Sequence, residues 1–310
     1  MSKAPFAIQP DLTAISLAYT NKRLIADSVM PRVGVNAQEF KYTKHTMEEG
    51  FTLPDTKVGR KGKVNEVSFA GTEVTDSTND YGLEDPIPQR DIDNAAGSMY
   101  DPEGKSTESL TALILLDREK RVADTIFNTA NYGASNQQTL SGTSQWSDRT
   151  NSTPIDDLMT ALDSMIMRAN VMAIGRAVAT QLVQHPQIVK AYHGNSGDAG
   201  IVPVQFLAQL LELEEILVGE GWLNTAKKGQ TPTMTRVWGK HCSLMYRDIN
   251  ADTRSGMTYG FTAEFGERRS GTRPDPDIGL DGGTRVRVGE SVKEVVTATD
   301  LGYLFENAVG

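Results

Sequence analysis

The sequence predicts an α+β fold, and three features of its 310 residues indicate it. Residues 36–72 alternate apolar and polar side chains, as strands do. Residues 103–132 carry a long helical pattern without an internal proline after its start. Residues 154–270 interleave short helical and strand patterns, which is typical of an α+β or α/β unit. At roughly 150 residues per domain, the length predicts about two domains, or one domain with long extensions.

Composition and charge exclude several classes of protein. The chain has 31 Lys and Arg residues against 40 Asp and Glu residues, so its formal net charge is −9. Charged residues make up 23% and hydrophobic residues 38%, which excludes a wholly disordered chain, a collagen and a coiled-coil rod. A net acidic chain is a poor candidate for a general DNA-coating protein. The single cysteine, Cys242, excludes an internal disulfide and cysteine-rich zinc modules.

The first 35 residues are predicted to form an extended arm. Pro5, Pro10 and Pro31 interrupt it, and it shows no strong period. Pro10 and Asp11 also break any apolar core of a signal peptide. No segment of the chain reaches the roughly 18 apolar residues of a membrane span. Because such an arm buries little of its own surface, we expect it to lie on another molecule.

Residues 36–75 are predicted to form a long two-stranded hairpin. One strand covers 40–54 and ends near Gly50, and a second returns over 63–74. The tip between them carries four cations, which are Lys57, Arg60, Lys61 and Lys63. Gly59 and Gly62 predict a mobile tip. An isolated hairpin is marginally stable in water, so this one needs a packing partner.

Residues 73–103 are predicted to be acidic and irregular, since they hold nine carboxylates, one cation and three prolines. The carboxylates taken as a candidate interface are Glu73, Asp76, Asp80, Glu84 and Asp85. Opposite charges on this segment and on the basic tip favour docking of one copy of the chain on another. The alternatives for the tip are a solvated turn and a phosphate or nucleic-acid contact, although it lacks an aromatic residue for base stacking.

The clearest predicted element is a spine helix over 104–132, about 40 Å long at 1.5 Å per residue. Ser106 or Thr107 is expected to cap it. Its predicted apolar stripe consists of Leu113, Leu116, Ala123, Phe127 and Ala130.

A polar loop is predicted at 133–153, and a block of short elements follows. Helices are predicted over 155–167 and 176–186 and from Pro203, and strands over 171–175, 231–248 and 256–266. A charged loop over 267–283 then leads to a hairpin around Gly289 and a closing strand. In that hairpin, Val286 and Val288 face one side, opposite to Arg285 and Arg287.

Patterns that suggest chemistry are better explained as ordinary structure. The GKST string at 104–107 lacks the earlier glycine of a phosphate loop, because position 99 is Met. Residues 275–283 resemble a calcium loop, but Leu280 stands where the turn needs glycine. Adjacent strand residues face opposite sides, so His241 and Cys242 cannot act together, and Cys242 is expected in the core. His185 and His193 lack a nearby carboxylate for zinc. We therefore expect no catalytic residue, cofactor or metal, and no enzyme activity.

The chain places an arm, a hairpin, a spine helix, an α+β block and closing strands in that order. This order and five strings of sequence resemble the Hong Kong 97-type major capsid proteins of tailed bacteriophages, in the siphophage branch. The strings are ADSVMPRVGVNAQEFKY (26–42), TDSTNDYGLEDPIPQ (75–89), LLDREKRVADTIFN (115–128), TRVWGKHC (235–242) and VRVGESVKE (286–294). The resemblance runs over nearly the whole chain. It implies an N-terminal arm (1–35), an extended loop (36–75), a peripheral domain (76–149) with the spine helix (104–132), an axial domain (150–282) and C-terminal strands of the peripheral domain (283–310).

The resemblance also implies function and partners. Such subunits form pentamers and hexamers that close into an icosahedral head around double-stranded DNA. The expected partners are other copies, a separate scaffolding protein, a portal, added cement or minor capsid proteins and the packaged DNA, with no membrane. The expected location is the virion, after assembly in the host bacterial cytoplasm. Some relatives join subunits through a Lys–Asn bond, but no local motif assigns that chemistry here, and noncovalent contacts are favoured.

Two alternatives stay open at this point. One is an encapsulin-like shell of a cellular nanocompartment, which encloses an enzyme instead of a genome. The other is a cytosolic α+β enzyme with an unrecognised site. On every shell hypothesis, the arm and the hairpin complete their burial only on sister copies.

Overall fold

The computed structural model describes residues 6–44, 53–66, 71–97, 100–194, 197, 199–227 and 229–310. In these ranges the strands form two larger sheets and two short two-stranded ladders. Helices cover both larger sheets, so the chain mixes helix and sheet as the α+β prediction requires.

The first sheet holds six strands and supports the spine helix. Its strands are β1 (Ala7–Ile8), β2 (Arg32–Val35), β5 (Asn79–Pro88), β12 (Gly260–Phe265), β13 (Arg269–Asp275) and β14 (Gly283–Val296). They follow the order β1-β13-β14-β12-β2, and β5 also pairs with β14. The antiparallel pairing of β14 with β5 runs over ten residues, from Gly283 opposite Pro88 to Val292 opposite Asn79. The long strand β14 is therefore the centre of this sheet.

The second sheet has five strands in the order β6-β15-β11-β7-β8. They are β6 (Gln137–Thr139), β7 (Val171–Gly175), β8 (Glu215–Gly219), β11 (Cys242–Met245) and β15 (Gly302–Glu306). The two ladders join β3 (Glu39–Lys44) to β4 (Thr72–Ser77), and β9 (Trp222–Asn224) to β10 (Met234–Arg236). Because β15 follows β14 directly in sequence, the C-terminal segment connects the two larger sheets.

The helices are α1 (Pro10–Ala18), α2 (Ala26–Val29), α3 (Gln89–Ala95), α4 (Pro102–Ile126), α5 (Pro154–Ser164), α6 (Arg176–Val183), α7 (Pro186–His193) and α8 (Val204–Leu210). The spine helix α4 is the longest of them. The side chain of Asp101 caps its N-terminus by accepting the backbone N–H of Glu103 at 3.1 Å. Pro102 follows at the first helical position, where its missing N–H costs nothing.

The hydrophobic core consists of separate clusters that pack on the two larger sheets. Leu110 and Ile114 of α4 pack on Ile87, Val286 and Val288 of the first sheet. Each such fully buried apolar side chain contributes about 1.5–3 kcal/mol. The other end of α4 packs toward β7, β8, β11 and β15 in a second cluster, which includes Val122, Ala123, Ile126, Trp238 and Leu304. A larger cluster between the second sheet and α5 to α8 contains Trp146, Leu158, Met172, Leu182 and Phe305.

The arm does not behave as predicted. Over residues 6–35, β1 pairs with β13, and Leu12 and Ser16 of α1 are buried beside α4 and β13. Val29 is only 1% exposed, and Met30 is fully buried. The expectation that the arm lies on another molecule is therefore wrong for residues 6–35. The short apolar segment at 24–33 supplies enough burial on the chain's own spine helix, although it shows no long period.

The acidic segment is also more regular than predicted. Residues 73–103 include β4, β5, α3 and the start of α4, so the prediction of an irregular segment is wrong. Pro86 and Pro88 lie within β5, which in the described chain pairs with β14 alone. An edge strand tolerates proline because the missing N–H faces away from the ladder.

The spine helix is shorter than predicted. It ends at Ile126 and not at 132, and its cap is Asp101 and not Ser106 or Thr107. Leu113 of the predicted stripe is 54% exposed, while Leu110 and Ile114 are buried. The rest of the predicted stripe is partly right, since Ala123 is buried and Leu116 and Phe127 pack against the core. Leu113 was misplaced because leucines occur on both sides of the helix between 110 and 116.

The last two predicted segments are corrected as well. Residues 269–275 form a strand and not a loop, and 283–296 form one strand and not a hairpin around Gly289. The facing pattern itself is confirmed, since Val286 and Val288 are fully buried while Arg285 and Arg287 are not.

The extended loop has a shorter ladder than predicted. The strands pair from Glu39 opposite Ser77 to Lys44 opposite Thr72. The return strand was predicted from 63, but residues 63–66 are irregular and the strand begins at Thr72. Residues 45–52 and 67–70, which carry the rest of the two predicted strands, lie outside the described residues. The domain bounds themselves stay a prediction.

Candidate assembly surfaces

The basic tip of the extended loop is accessible along its whole described length. Residues 53–66 are all exposed and have no regular secondary structure apart from a turn at Gly59–Gly62. Asp55 fixes the local shape, because its side chain accepts the N–H of Lys57 at 2.9 Å and its carbonyl accepts the Asn65 amide at 2.7 Å. These bonds draw the two limbs of the loop together and leave the cations on the outside.

Three of the four predicted tip cations have no ion-pair partner among the described residues. Lys63 pairs with Glu66 at 2.5 Å. Within the described residues, Lys57, Arg60 and Lys61 have no carboxylate at ion-pair distance. Leu53 is 89% exposed and Val64 68% exposed on the same segment. The tip therefore presents both positive charge and apolar surface, which are the two things that a protein partner can use.

The five predicted interface carboxylates do not form one free surface. Glu73 pairs with Lys41 at 3.1 Å, and Asp76 lies 3.8 Å from Lys293. Glu84 accepts the Arg287 Nε–H at 2.6 Å. These three charges are neutralised within the ladder β3-β4 and the first sheet, where cross-strand neighbours supply the cations.

The two remaining carboxylates lie apart on β5. Asp80 accepts only a long contact, 3.5 Å, from the Gln38 amide. Asp85 accepts the hydroxyl of Ser106 at 2.7 Å, and neither residue has an ion-pair partner in the described chain. Because five residues along a strand span about 17 Å, the two carboxylates serve different parts of the surface.

A groove of about 490 Å³ adjoins Asp85, where β5, α3 and the start of α4 meet. Pro86, Ile87, Pro88 and Pro102 supply apolar wall, and Asp91 supplies a second carboxylate. Asp91 is exposed in the first turn of α3 and has no ion-pair partner in the part of the chain that the structure describes. Lys105 also lines the groove but pairs with Glu108 at 3.6 Å. The groove therefore combines apolar wall with uncompensated negative charge.

Buried polar residues hold the arm to the spine helix. Glu119 of α4 is fully buried and accepts three hydrogen bonds. Its donors are the backbone N–H groups of Ile25 (2.9 Å) and Ala26 (2.8 Å) and the indole Nε1–H of Trp238 (2.5 Å). One carboxylate thus joins the arm, the spine helix and the segment before β11.

A second buried group lies one residue earlier on the helix. Arg118 is 1% exposed and donates to the Met30 carbonyl at 3.1 Å, to the Thr262 hydroxyl at 2.9 Å and to the carboxylate of Asp27. Arg32 pairs with Asp27 at 2.8 Å and with Glu290 at 3.0 Å. Arm residues 27–32 are therefore tied to α4, β12 and β14 by hydrogen-bonded charges.

The pKa directions follow from burial and from these partners. Burial raises the pKa of Glu119, although its three donors act in the opposite direction. Burial alone would also raise the pKa of Glu290, but Arg32, Arg268 and Arg118 hold it below its ordinary value. The same balance of burial against Arg118 and Arg32 lowers the pKa of Asp27. Glu290 and Asp27 are therefore charged at neutral pH.

The predicted candidates for chemistry are used structurally. Cys242 is fully buried in β11, which confirms its place in the core, and burial raises the pKa of its thiol. His185 caps α7 by accepting the N–H of Gln187, and its Nε2 lies 3.1 Å from the Ser152 hydroxyl. The described ranges contain no group of three or more His, Cys, Asp or Glu side chains that could hold a metal. No helix in them is long and apolar enough to span a membrane.

Comparison with known proteins gives the family. The model of the family Phage major capsid protein E matches residues 116–276, which is half of the chain. The major capsid protein of Pseudomonas phage JBD67 is 58% identical over 309 residues, which cover 100% of this chain and 99% of that protein. The chain belongs to the phage major capsid protein family. This membership supports a phage capsid over an encapsulin-like shell.

Solved structures show the fold of this capsid protein. A phage-related protein from Bordetella bronchiseptica superposes with a TM-score of 0.78 at 22% identity, over 98% of both chains. The capsid of Cyanophage P-SCSP1u superposes with a TM-score of 0.59 at 11% identity, over 93% of this chain and 89% of that one. The predicted Hong Kong 97-type α+β fold is therefore confirmed. Copies of such a protein form a multi-copy shell, and its place is the virion.

Sequence reasoning missed the residues that hold the arm. The sequence analysis assigned no role to the adjacent charges Arg118 and Glu119, and both are buried. The available signal was their spacing, since both lie one helical turn from the buried positions Leu115, Val122 and Ala123. Asp91 was counted only as part of an acidic segment, because the groove depends on β5 and α3.

Proposed function

We propose that this capsid protein assembles as pentamers and hexamers into an icosahedral head that encloses double-stranded DNA. The observation that carries the proposal is the full-length similarity to a phage major capsid protein. Closed symmetry supports the proposal, because a contact that is weak in one pair of subunits recurs in every copy, and together these contacts can hold a shell. The role is structural and involves no catalysis.

The contact that recurs is the docking of the basic tip on an acidic surface of a neighbouring copy. Lys57, Arg60 and Lys61 are exposed and unpaired in the described chain, which supports the tip as one half of this contact. Glu73, Asp76, Asp80, Glu84 and Asp85 were predicted as the other half, and Asp80 and Asp85 keep uncompensated charge. A separate scaffolding protein, a portal and cement or minor capsid proteins complete the head, which assembles in the host bacterial cytoplasm. The contacts between copies are noncovalent.

The test is purification of particles from cells that express the chain with its neighbouring genes. Closed shells that contain nuclease-protected DNA are the expected result. Shells that contain only protein cargo, or small stable oligomers under every condition, would overturn the proposal.

A further inference from the structure

We infer that the groove beside Asp85 and Asp91, and not the strand carboxylates of β4 and β5, receives the basic tip of a second copy of this chain. This inference rests on the proposed function, since it assumes that copies assemble. It deepens that function by naming the acceptor, which we call the β5–α3 groove: the cavity walled by Asp85, Pro86, Ile87, Pro88, Asp91 and Pro102.

Charge pairing separates the groove from the strand surface. Glu73, Asp76 and Glu84 already face Lys41, Lys293 and Arg287. A second cation gains little from a carboxylate that already has a cationic partner. Asp85 and Asp91 have no such partner in the described residues, so an incoming lysine or arginine meets uncompensated charge there.

The apolar parts of the two surfaces also match. In the tip, Leu53 is 89%, Val64 68% and Val58 44% exposed beside the cations. The groove wall includes the rings of Pro86, Pro88 and Pro102, which lie beside its polar side chains. A purely polar acceptor would leave the apolar side chains of the tip in water, whereas this groove covers both kinds of group.

The occupant is a second copy and not the same chain. Residues 53–66 are all exposed in the folded subunit, so they do not fill the groove of their own chain. The described residues between Lys44 and Thr72 are exposed to solvent. An acceptor on another copy satisfies the charges of both surfaces at once.

Cysteine cross-linking tests the contact directly. The chain's one thiol, Cys242, is fully buried, so it gives little background. Three variants combine Asp91→Cys with Lys57→Cys, Arg60→Cys or Lys61→Cys, and assembled particles are oxidised with copper phenanthroline. A ladder of linked chains on a non-reducing gel is expected from at least one variant, with the linked peptides identified by mass spectrometry as tip and groove. A matched control pairs each tip cysteine with Asp277→Cys, an exposed acid on the turn after β13, and should give no ladder.

A charge swap adds a second readout. Tip reversal (Lys57→Glu, Arg60→Glu, Lys61→Glu) and groove reversal (Asp85→Lys, Asp91→Lys) should each lower particle yield by roughly tenfold, since the two charge pairs made by Asp85 and Asp91 become repulsive. Their combination should restore yield to within about threefold of the unchanged chain. Restoration by Glu73→Lys with Asp76→Lys in place of the groove change would assign the acceptor to β4 and overturn the inference.

The outcomes separate this inference from the proposed function. If the unchanged chain forms shells, but none of the three cysteine pairs cross-links or the Asp277→Cys controls cross-link equally, the groove assignment is wrong and the shell function stands. If the unchanged chain forms no shell with its cognate partners, the proposed function itself fails.

Discussion

The carboxylate of Glu119 accepts the indole Nε1–H of Trp238 at 2.5 Å across 119 residues of sequence. Two backbone N–H groups of the arm, from Ile25 and Ala26, complete its coordination. A buried acceptor with three donors is costly to remove, because each donor then loses a hydrogen bond in a dry environment. This contact therefore contributes to holding the arm on its own subunit.

Removal of the carboxylate should loosen the arm. Glu119→Ala leaves three buried donors, each at a cost of about 1–3 kcal/mol, so the free energy of unfolding should fall by about 3 kcal/mol or more. Glu119→Gln keeps one acceptor oxygen and should lose less. Urea unfolding followed by tryptophan fluorescence measures both, because Trp238 is buried in the same cluster.

The matched control for that change lies on the same helix. Glu108 is half exposed and pairs only with Lys105 at 3.6 Å. Glu108→Ala should therefore change the unfolding free energy by no more than about 0.5 kcal/mol. Equal effects of the two alanine variants would mean that the hydrogen bonds of Glu119 carry no special weight.

A glycine test probes the packing of Trp238. A Cβ added at Gly219 would overlap the indole ring of Trp238, while one at Gly59 in the loop would meet nothing within 4 Å. Gly219→Ala should lower the unfolding free energy by about 1–3 kcal/mol through overpacking, and Gly59→Ala should be nearly neutral. Thermal unfolding by circular dichroism compares them, and an unchanged melting temperature for Gly219→Ala would contradict the packing described here.

Acid should destabilise the region around His185. Burial lowers the pKa of this histidine below its ordinary value of 6.5, and its neutral ring accepts the N–H of Gln187. The unfolded chain therefore binds the proton more readily than the folded chain. The stabilisation is present above about pH 6.5 and is lost as the pH falls below it.

The variant His185→Asn keeps a good cap without a titrating ring. Its unfolding free energy should depend less on pH between about pH 7.5 and about pH 5.5 than that of the unchanged chain. His193→Asn replaces an exposed histidine and serves as the control. An identical pH slope for all three proteins would show that His185 does not control acid stability.

Salt should weaken the assembled particles by screening the cations of the basic tip. Exposed charge pairs weaken as the Debye length shrinks from about 10 Å at 0.1 M to about 3 Å at 1 M salt. The neutral variant with Lys57→Gln, Arg60→Gln and Lys61→Gln should dissociate roughly tenfold faster than the unchanged particles at low salt. Its dissociation rate should also depend less on the salt concentration. Circular dichroism of the subunit should be unchanged, because these side chains make no tertiary contact in the described chain. Particles whose salt dependence is unaltered would show that the tip charges do not contribute.

Local pattern predicted much of the second sheet. The apolar run at 171–175 forms β7, and Pro154 begins α5. Both could be predicted because a short buried strand and a helix N-terminus are determined by residues that are close in sequence. The length of β14 could not be predicted from local sequence. Gly289 looks like a turn, yet it lies opposite Gly82 and Arg269, and two flanking strands hold it extended.

Tertiary context decided the features that the pattern missed. Pro86 and Pro88 look like breakers, but β5 needs only one paired edge. The arm shows no hydrophobic period, because hydrogen bonds and ion pairs to α4, β12 and β14 hold it in place. These partners are distant in sequence. The basic tip was recognisable from composition, whereas the groove that we assign to it depends on three elements meeting in space.

Electron cryomicroscopy of particles from cells that express this chain with its neighbouring genes tests the central claim most directly. The account predicts closed icosahedral shells of many copies, in each of which residues 53–66 contact a different copy. Discrete small oligomers in every preparation, with residues 53–66 free or folded on their own subunit, would contradict it.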